Sequence, residues 1–220
     1  FKVVVEDLEL PVISGTPESV TLQNIPGFCG STHDWVSPTA TDNCDTLTVI
    51  SSHSSGSMFP TGTTTVDFEV IDLSGNSSVS SFEIIVEDIE APEFTTVPTD
   101  FTASADVDQC GTAVTWAEAT GTDNCEVSSI EYDRANGAFL ELGEYPVNAT
   151  ITDIHGNSAT QQFVITVVDD TPPVITNMPT DILLIADNGQ CGSVATWSEP
   201  ASTDNCSGEL LANNIISGSF

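Results

Sequence analysis

The sequence predicts an all-β protein built from tandem β-sandwich repeats, and three observations predict it. One block recurs at a step of 81 residues: Cys29, Cys110 and Cys191 keep it, as do Trp35, Trp116 and Trp197, and the Asp-Asn-Cys triplets at 42–44, 123–125 and 204–206. Self-similarity at a long fixed period marks an array of one folding unit. Thr64 to Asp72 alternates strictly, with Val66, Phe68 and Val70 on one face and Asp67 and Glu69 on the other, the period of a half-buried strand. No apolar stripe of helical period runs for helical length.

The 220 residues hold about 2.7 such units, each long enough for one hydrophobic core. With 39% hydrophobic residues, the chain is too apolar for an acidic disordered tail. The expected boundaries are 1–9 as the last strand of a preceding repeat, 10–90 and 91–171 as full repeats, and 172–220 as a repeat incomplete at its C-terminal end. Starting at Phe1 inside one repeat and stopping at Phe220 inside another, the chain reads as a piece of something longer.

Taken in order, Phe1–Asp7 matches Phe82–Asp88 and Phe163–Asp169 and is expected to be the closing strand of its unit, with Phe82, Ile84 and Val86 facing the core. An acidic junction follows each, ending at Pro11, Pro92 and Pro173, where proline stops the strand from running on. The next unit begins at Val12-Ile13, Glu93-Phe94 or Val174-Ile175, and a less regular segment leads to its first cysteine. Ala113–Trp116 reads as a strand, and Pro38–Asn43 and Ala119–Asn124 as loops rich in turn formers. Leu47–Ile50 is a short strand and Phe59–Gly62 a turn. Val147, Ala149 and Ile151 repeat the alternation of Val66, Phe68 and Val70. Asp72–Asn76 and Asp153–Asn157 are tight turns, because Gly and Asn tolerate the positive φ a hairpin requires. The sum is roughly seven short strands per unit in two sheets packed face to face.

Six cysteines fall into three pairs 15 positions apart. No close Cys/His pair suggests zinc, and almost no basic neighbour is present to activate a thiol. One disulfide inside each unit is therefore expected: Cys29–Cys44, Cys110–Cys125 and Cys191–Cys206. Each would contribute about 3 kcal/mol in the chain-entropy model and would imply an oxidising compartment outside the cytoplasm.

Against 33 acidic residues stand only Lys2 and Arg134, giving a net charge of −31. That balance excludes nucleic acid and anionic lipid as partners, since affinity for both comes from Lys and Arg. Direct membrane insertion is not expected either, because no apolar run reaches about 18 residues. Either the acids are solvated or divalent cations neutralise part of them.

Val/Thr-x-Trp followed by Asp-Asn-Cys, then Ser-Gly-x-x-Phe-Pro-x-Gly-Thr-Thr at Ser55–Thr64, Asp-x-x-Gly-Asn, and the closing Phe-x-Val-x-Val-x-Asp-x-x-x-Pro resemble the HYR (hyalin repeat) family. Leu140–Tyr145 departs from the Phe-Pro-x-Gly pattern. The resemblance implies immunoglobulin-like sandwiches in an elongated array, and adhesion or matrix building by long secreted or cell-surface proteins. The lack of extra cysteines found in some animal members points to a bacterial surface adhesin.

In an immunoglobulin-like unit, the hairpin before the last strand lies at the end facing the previous unit. Asp72 and Asn76 are thus expected near Glu6, Asp7 and Glu9, and Asp153 and Asn157 near Glu87, Asp88 and Glu90. The loop carrying Asp42 or Asp123 reaches the same end unless a disulfide holds it lower. Converging oxygens without Lys or Arg suit Ca²⁺, which takes 6–8 of them, better than the stricter Mg²⁺; the alternative is plain turn chemistry with solvated acids.

No enzyme is expected. His33, His53 and His155 fall at unrelated places in the unit, and nothing common to the units pairs a base with a nucleophile. The tryptophans are expected in the core, and Asn76, Asn148 and Asn205 begin glycosylation sequons. The sequence thus predicts a structural, adhesive segment of an extracellular protein, rod-like, with calcium-stiffened junctions. Its partners would be neighbouring repeats, other copies of the chain, or surface glycans and proteins. A self-assembling fibre subunit and a carbohydrate-binding module are the alternatives.

Overall fold

The computed structural model describes residues 1–44 and 47–206. Among the described residues the regular structure is all β, and each full repeat contributes eight strands rather than about seven. The first repeat holds β1 (Val12–Ser14), β2 (Val20–Gln23), β3 (Gly30–Thr32), β4 (Thr39–Thr41), β5 (Val49–Ser51), β6 (Met58–Pro60), β7 (Gly62–Ile71) and β8 (Ser77–Glu87). The second repeats this as β9 (Glu93–Thr96), β10 (Phe101–Ser104), β11 (Gly111–Ala113), β12 (Thr120–Thr122), β13 (Val127–Tyr132), β14 (Phe139–Glu141), β15 (Gly143–Asp153) and β16 (Ser158–Val168). The third contributes β17 (Val174–Thr176) and β18 (Ala201–Thr203).

β7 and β8 are the spine of the first repeat, an antiparallel hairpin in register from Gly62↔Val86 to Ile71↔Ser77. β5 flanks β7 antiparallel, and β2 flanks β8 in parallel, giving the order β2-β8-β7-β5. The ladders β1–β4 and β3–β6 complete the repeat. The second repeat has the same arrangement, with a sheet β10-β16-β15-β13 and ladders β9–β12 and β11–β14.

The expected alternation is what fills the cores. Val66, Phe68, Phe82, Ile84 and Val86 are buried with Phe59, and Trp35 packs against them. Val147, Phe163, Ile165 and Val167 are buried with Val114 and Leu140, beside Trp116. Each large apolar side chain so buried contributes roughly 1.5–3 kcal/mol. Trp35 meets Phe82 edge to face, and Trp116 meets Phe163 likewise.

Several element expectations are corrected. Phe1–Asp7 is not a strand; its counterpart Phe82–Glu87 is ordered by β7 on one side and β2 on the other, and residues 1–7 have no such neighbours among the described residues. Phe59–Gly62 is not a plain turn, since Phe59 lies in β6 and is 1% exposed. Pro38–Asn43 contains β4, and the strand expected at Ala113–Trp116 ends at Ala113. The strand expected at Leu47–Ile50 runs instead from Val49 to Ser51.

The disulfide pairing is also corrected. The bonds are Cys29–Cys125 and Cys110–Cys206, each spanning 96 residues, with Cα separations of 4.6 and 4.8 Å. The reason is the length of β8. Its start follows the Asp72–Asn76 turn, where Asn76 touches Asp7 and the Cys44 sulfur lies near the Asp7 and Asp42 carboxylates. Its last residue, Glu87, accepts a hydrogen bond from Asn24, in the segment that leads to Cys29. Eleven strand residues cover about 36 Å, so Cys29 and Cys44 sit at opposite ends of one sandwich, far beyond the ~7 Å limit for bridging. Cys29 instead meets the second cysteine of the next repeat. Cys191 is exposed and unbridged.

The chain packs as two compact units. One comprises Phe1–Thr96, Ala119–Glu131 and Thr150–Thr160; the other comprises Val97–Glu118, Tyr132–Ala149 and the chain from Gln161 onward. Packing therefore divides the chain differently from the 81-residue period, and each disulfide lies within one unit.

Candidate metal centre

The Asp-x-x-Gly-Asn turns build the first part of the site. Gly75 and Gly156 have φ of 92° and 95°, which glycine adopts without Cβ strain. The turn so closed lets Asn76 donate its backbone and side-chain N–H groups to Asp72, both at 2.7 Å. Asn157 does the same for Asp153, at 2.9 and 2.8 Å, and His155 adds a backbone donor at 2.8 Å. Burial acts to raise the carboxyl pKa of Asp72, but hydrogen bonds from the side chain and backbone of Asn76, and from Gly75 and Ser74, outweigh it and hold it below the ordinary 3.8. Asp153 is lowered against burial in the same way by Asn157, His155 and Gly156.

Each asparagine amide also reaches the junction ahead of its own repeat. Asn76 Nδ2 donates to the Asp7 carbonyl and Asn157 Nδ2 to the Asp88 carbonyl, both at 3.1 Å. Both side chains thus act through nitrogen, as clasps between turn and junction.

The second part is a pair of aspartates that recurs with the repeat. Asp7 and Asp42 lie together with Cys44, and Asp169 and Asp204 with Cys206. Asp88, Asp123 and Asp153 offer oxygens within 4.8 Å of one another. One oxygen of each paired aspartate is capped by the backbone N–H two residues on: Glu9 to Asp7, Cys44 to Asp42, Glu90 to Asp88, Cys125 to Asp123, Thr171 to Asp169 and Cys206 to Asp204. The second oxygens of Asp7, Asp42 and Asp123 are shielded from solvent without a hydrogen-bond partner, as is the amide oxygen of Asn124. A buried, unsatisfied anionic oxygen is costly, and its recurrence beside a second carboxylate fits a hard, oxygen-seeking cation.

The middle junction differs in having a base. His155 Nδ1 lies 3.1 Å from Asp88 Oδ2, and the Asp88 side chain is fully buried. Asn124 Nδ2 bridges Asp88 Oδ1 and the Phe28 carbonyl, so the Cys29–Cys125 bond and the aspartate pair share one loop.

Of the expected residues, Asp7, Asp72, Asn76, Asp88, Asp153 and Asn157 are gathered at the junctions. Glu90 is turned away, its carboxylate accepting Gly27 N–H at 2.8 Å and Asn24 Nδ2 at 3.3 Å. Glu9 accepts Asn43 Nδ2 at 2.8 Å, and Glu6 and Glu87 are exposed outside the clusters. Asp123, Asp169 and Asp204 join sites whose expected ligands did not include them, as does Asp42. Their signal was present: each Asp-Asn-Cys keeps the same 81-residue step as the junction aspartate it meets.

The HYR domain model matches this chain twice, at residues 6–86 and 87–167. Hyalin from Strongylocentrotus purpuratus is 33% identical over 218 residues, which is 96% of this chain and 18% of that protein. Hyalin from Lytechinus variegatus is 33% identical over 211 residues, 92% of this chain and 40% of that one. The chain thus spans less than half the length of either relative. Among solved structures, the sidekick-1 immunoglobulin domains 1–5 match over 78% of this chain and 41% of theirs, with 12% identity and a TM-score of 0.39.

Proposed function

Because the chain belongs to the HYR domain family, we propose that it is an extracellular structural and adhesive segment whose junctions are stiffened by calcium. Its disulfides suit an oxidising compartment, and its hyalin relatives run along nearly all of it. The observation that carries the calcium reading is the set of buried, unpartnered carboxylate oxygens at Asp7, Asp42 and Asp123.

Asp7 with Asp42 would hold one ion, and Asp88 with Asp123 and Asp153 another; Asp169 with Asp204 is the corresponding pair in the third repeat. A bound cation would supply the positive charge that these carboxylates lack. Repulsion between the aspartates opens a junction in its absence, so binding favours the closed geometry. The Asn76 and Asn157 clasps hold the turns in place for this without being ligands through nitrogen. The partners would be neighbouring repeats and other copies of the chain. The role is mechanical and adhesive, not catalytic.

Thermal melting in millimolar calcium and in excess EDTA tests this. Calcium is expected to raise the midpoint by several degrees, and Asp88→Asn combined with Asp123→Asn to reduce the rise. An unchanged midpoint on chelation would sink the proposal.

A further inference from the structure

The two disulfides overlap in sequence, and this changes which covalent route carries a pull. Cys29–Cys125 and Cys110–Cys206 each bridge 96 residues, and the segment 110–125 belongs to both loops. By main chain, Cys29 and Cys206 are 177 positions apart. The shortest covalent route crosses from Cys29 to Cys125, returns 15 residues to Cys110, and crosses again to Cys206.

We propose that these crossed bridges make the chain a load-bearing tether whose maximum length is set by the short Cys110–Cys125 loop rather than by the folding of the sandwiches. A taut polypeptide spans about 3.3–3.6 Å per residue. The main chain from Cys29 to Cys206 could therefore be drawn out to about 600 Å once the sandwiches unfold. Through the bridges, the same two residues separate by only about 60 Å, the 15-residue loop plus two crossings. Loss of all sandwich structure would thus draw these two residues no further than about 60 Å apart.

The register of the bonds makes the device repeatable. Each bridge spans one 81-residue period plus the 15-residue loop, so the first cysteine of a repeat always reaches the second cysteine of the next. An array continuing this period would add about 15 residues of tether per repeat where the main chain adds 81. Bridges inside each repeat would do the opposite, hiding only 15 residues apiece and leaving the rest to be pulled out. The inference stands on connectivity alone and holds whether or not a cation occupies the junctions.

Single-molecule pulling on the whole chain, with handles at its two ends, tests it. The oxidised chain is expected to reach a final contour length about 550 Å shorter than the same chain in excess dithiothreitol. Cys29→Ser should fall between the two. Contour length counts covalent residues whether or not a variant folds, so a misfolded variant still gives an answer. A difference of only about 150 Å, the value for three bridges within repeats, would overturn the proposal. So would equal lengths in the oxidised and reduced states.

Discussion

Asn157 performs two tasks with one amide group. Its Nδ2 donates to Asp153, which is 2% exposed, and to the Asp88 carbonyl across the junction. Replacement by alanine leaves a buried carboxylate short of a donor, and Asn157→Ala is expected to cost about 1–3 kcal/mol, read from the urea midpoint. The equivalent Asn76→Ala should behave alike. For Asn76 the glycosylation sequon conflicts with this use, since a glycan on Nδ2 would displace hydrogen bonds to Asp72 and Asp7. The lowered pKa values of Asp72 and Asp153 fix the direction of the pH effect. A carboxyl with a folded pKa below its unfolded value of about 3.9 stabilises fully above that value and loses its contribution as pH falls through the folded one. Stability should therefore be insensitive to these two groups from neutrality down to about pH 4 and decline below it. In Asp153→Asn, the acid decline measured by denaturant titration should be shallower.

At the scale of the element, what could be read in advance depended on how locally a strand's role is written. β7 and β8 carry their own alternation, and their partners are each other across a five-residue turn, so Val66, Phe68, Phe82 and Ile84 were legible as core. β4 and β6 are three residues long and pair with β1 and β3, more than twenty residues away; nothing periodic survives in so short a run. The candidate site was half legible for a related reason. Strand direction alone placed the Asp72 and Asp153 turns at the junctions, but an assumed Cys29–Cys44 bridge pulled the Asp42 loop out of reach. Spacing of 15 residues says nothing about which end of a sandwich each cysteine occupies. His155 went unread because it has no counterpart at the repeat step, where Ser74 stands. If calcium binds this junction, the imidazole 3.1 Å from Asp88 Oδ2 competes with it for that oxygen. His155→Ser is then expected to enlarge the calcium-induced rise in melting midpoint. An unchanged rise would mean that the histidine does not compete.

Across the whole molecule, the net charge of −31 opposes any compact state through self-repulsion, and two kinds of cation relieve it differently. Sodium acts only by screening, with a Debye length falling from about 10 Å at 0.1 M to about 3 Å at 1 M. Raising NaCl across that range should raise the melting midpoint gradually, because most of the charge lies on exposed side chains. Screening cannot reach the buried oxygens of Asp7, Asp42 and Asp123, since desolvated charges keep nearly their full interaction whatever the bulk salt. A cation that binds the folded state stabilises it by mass action, so its effect grows with the logarithm of its concentration and then adds to screening. A few millimolar CaCl₂ added to 1 M NaCl should therefore still raise the midpoint, whereas magnesium, which keeps its waters and demands octahedral geometry, should do less. If high salt abolished the calcium increment, the acidic clusters would be acting only as part of a diffuse surface charge. The junction aspartates would then contribute to solubility, and the disulfides and the asparagine clasps would bind one repeat to the next without an ion.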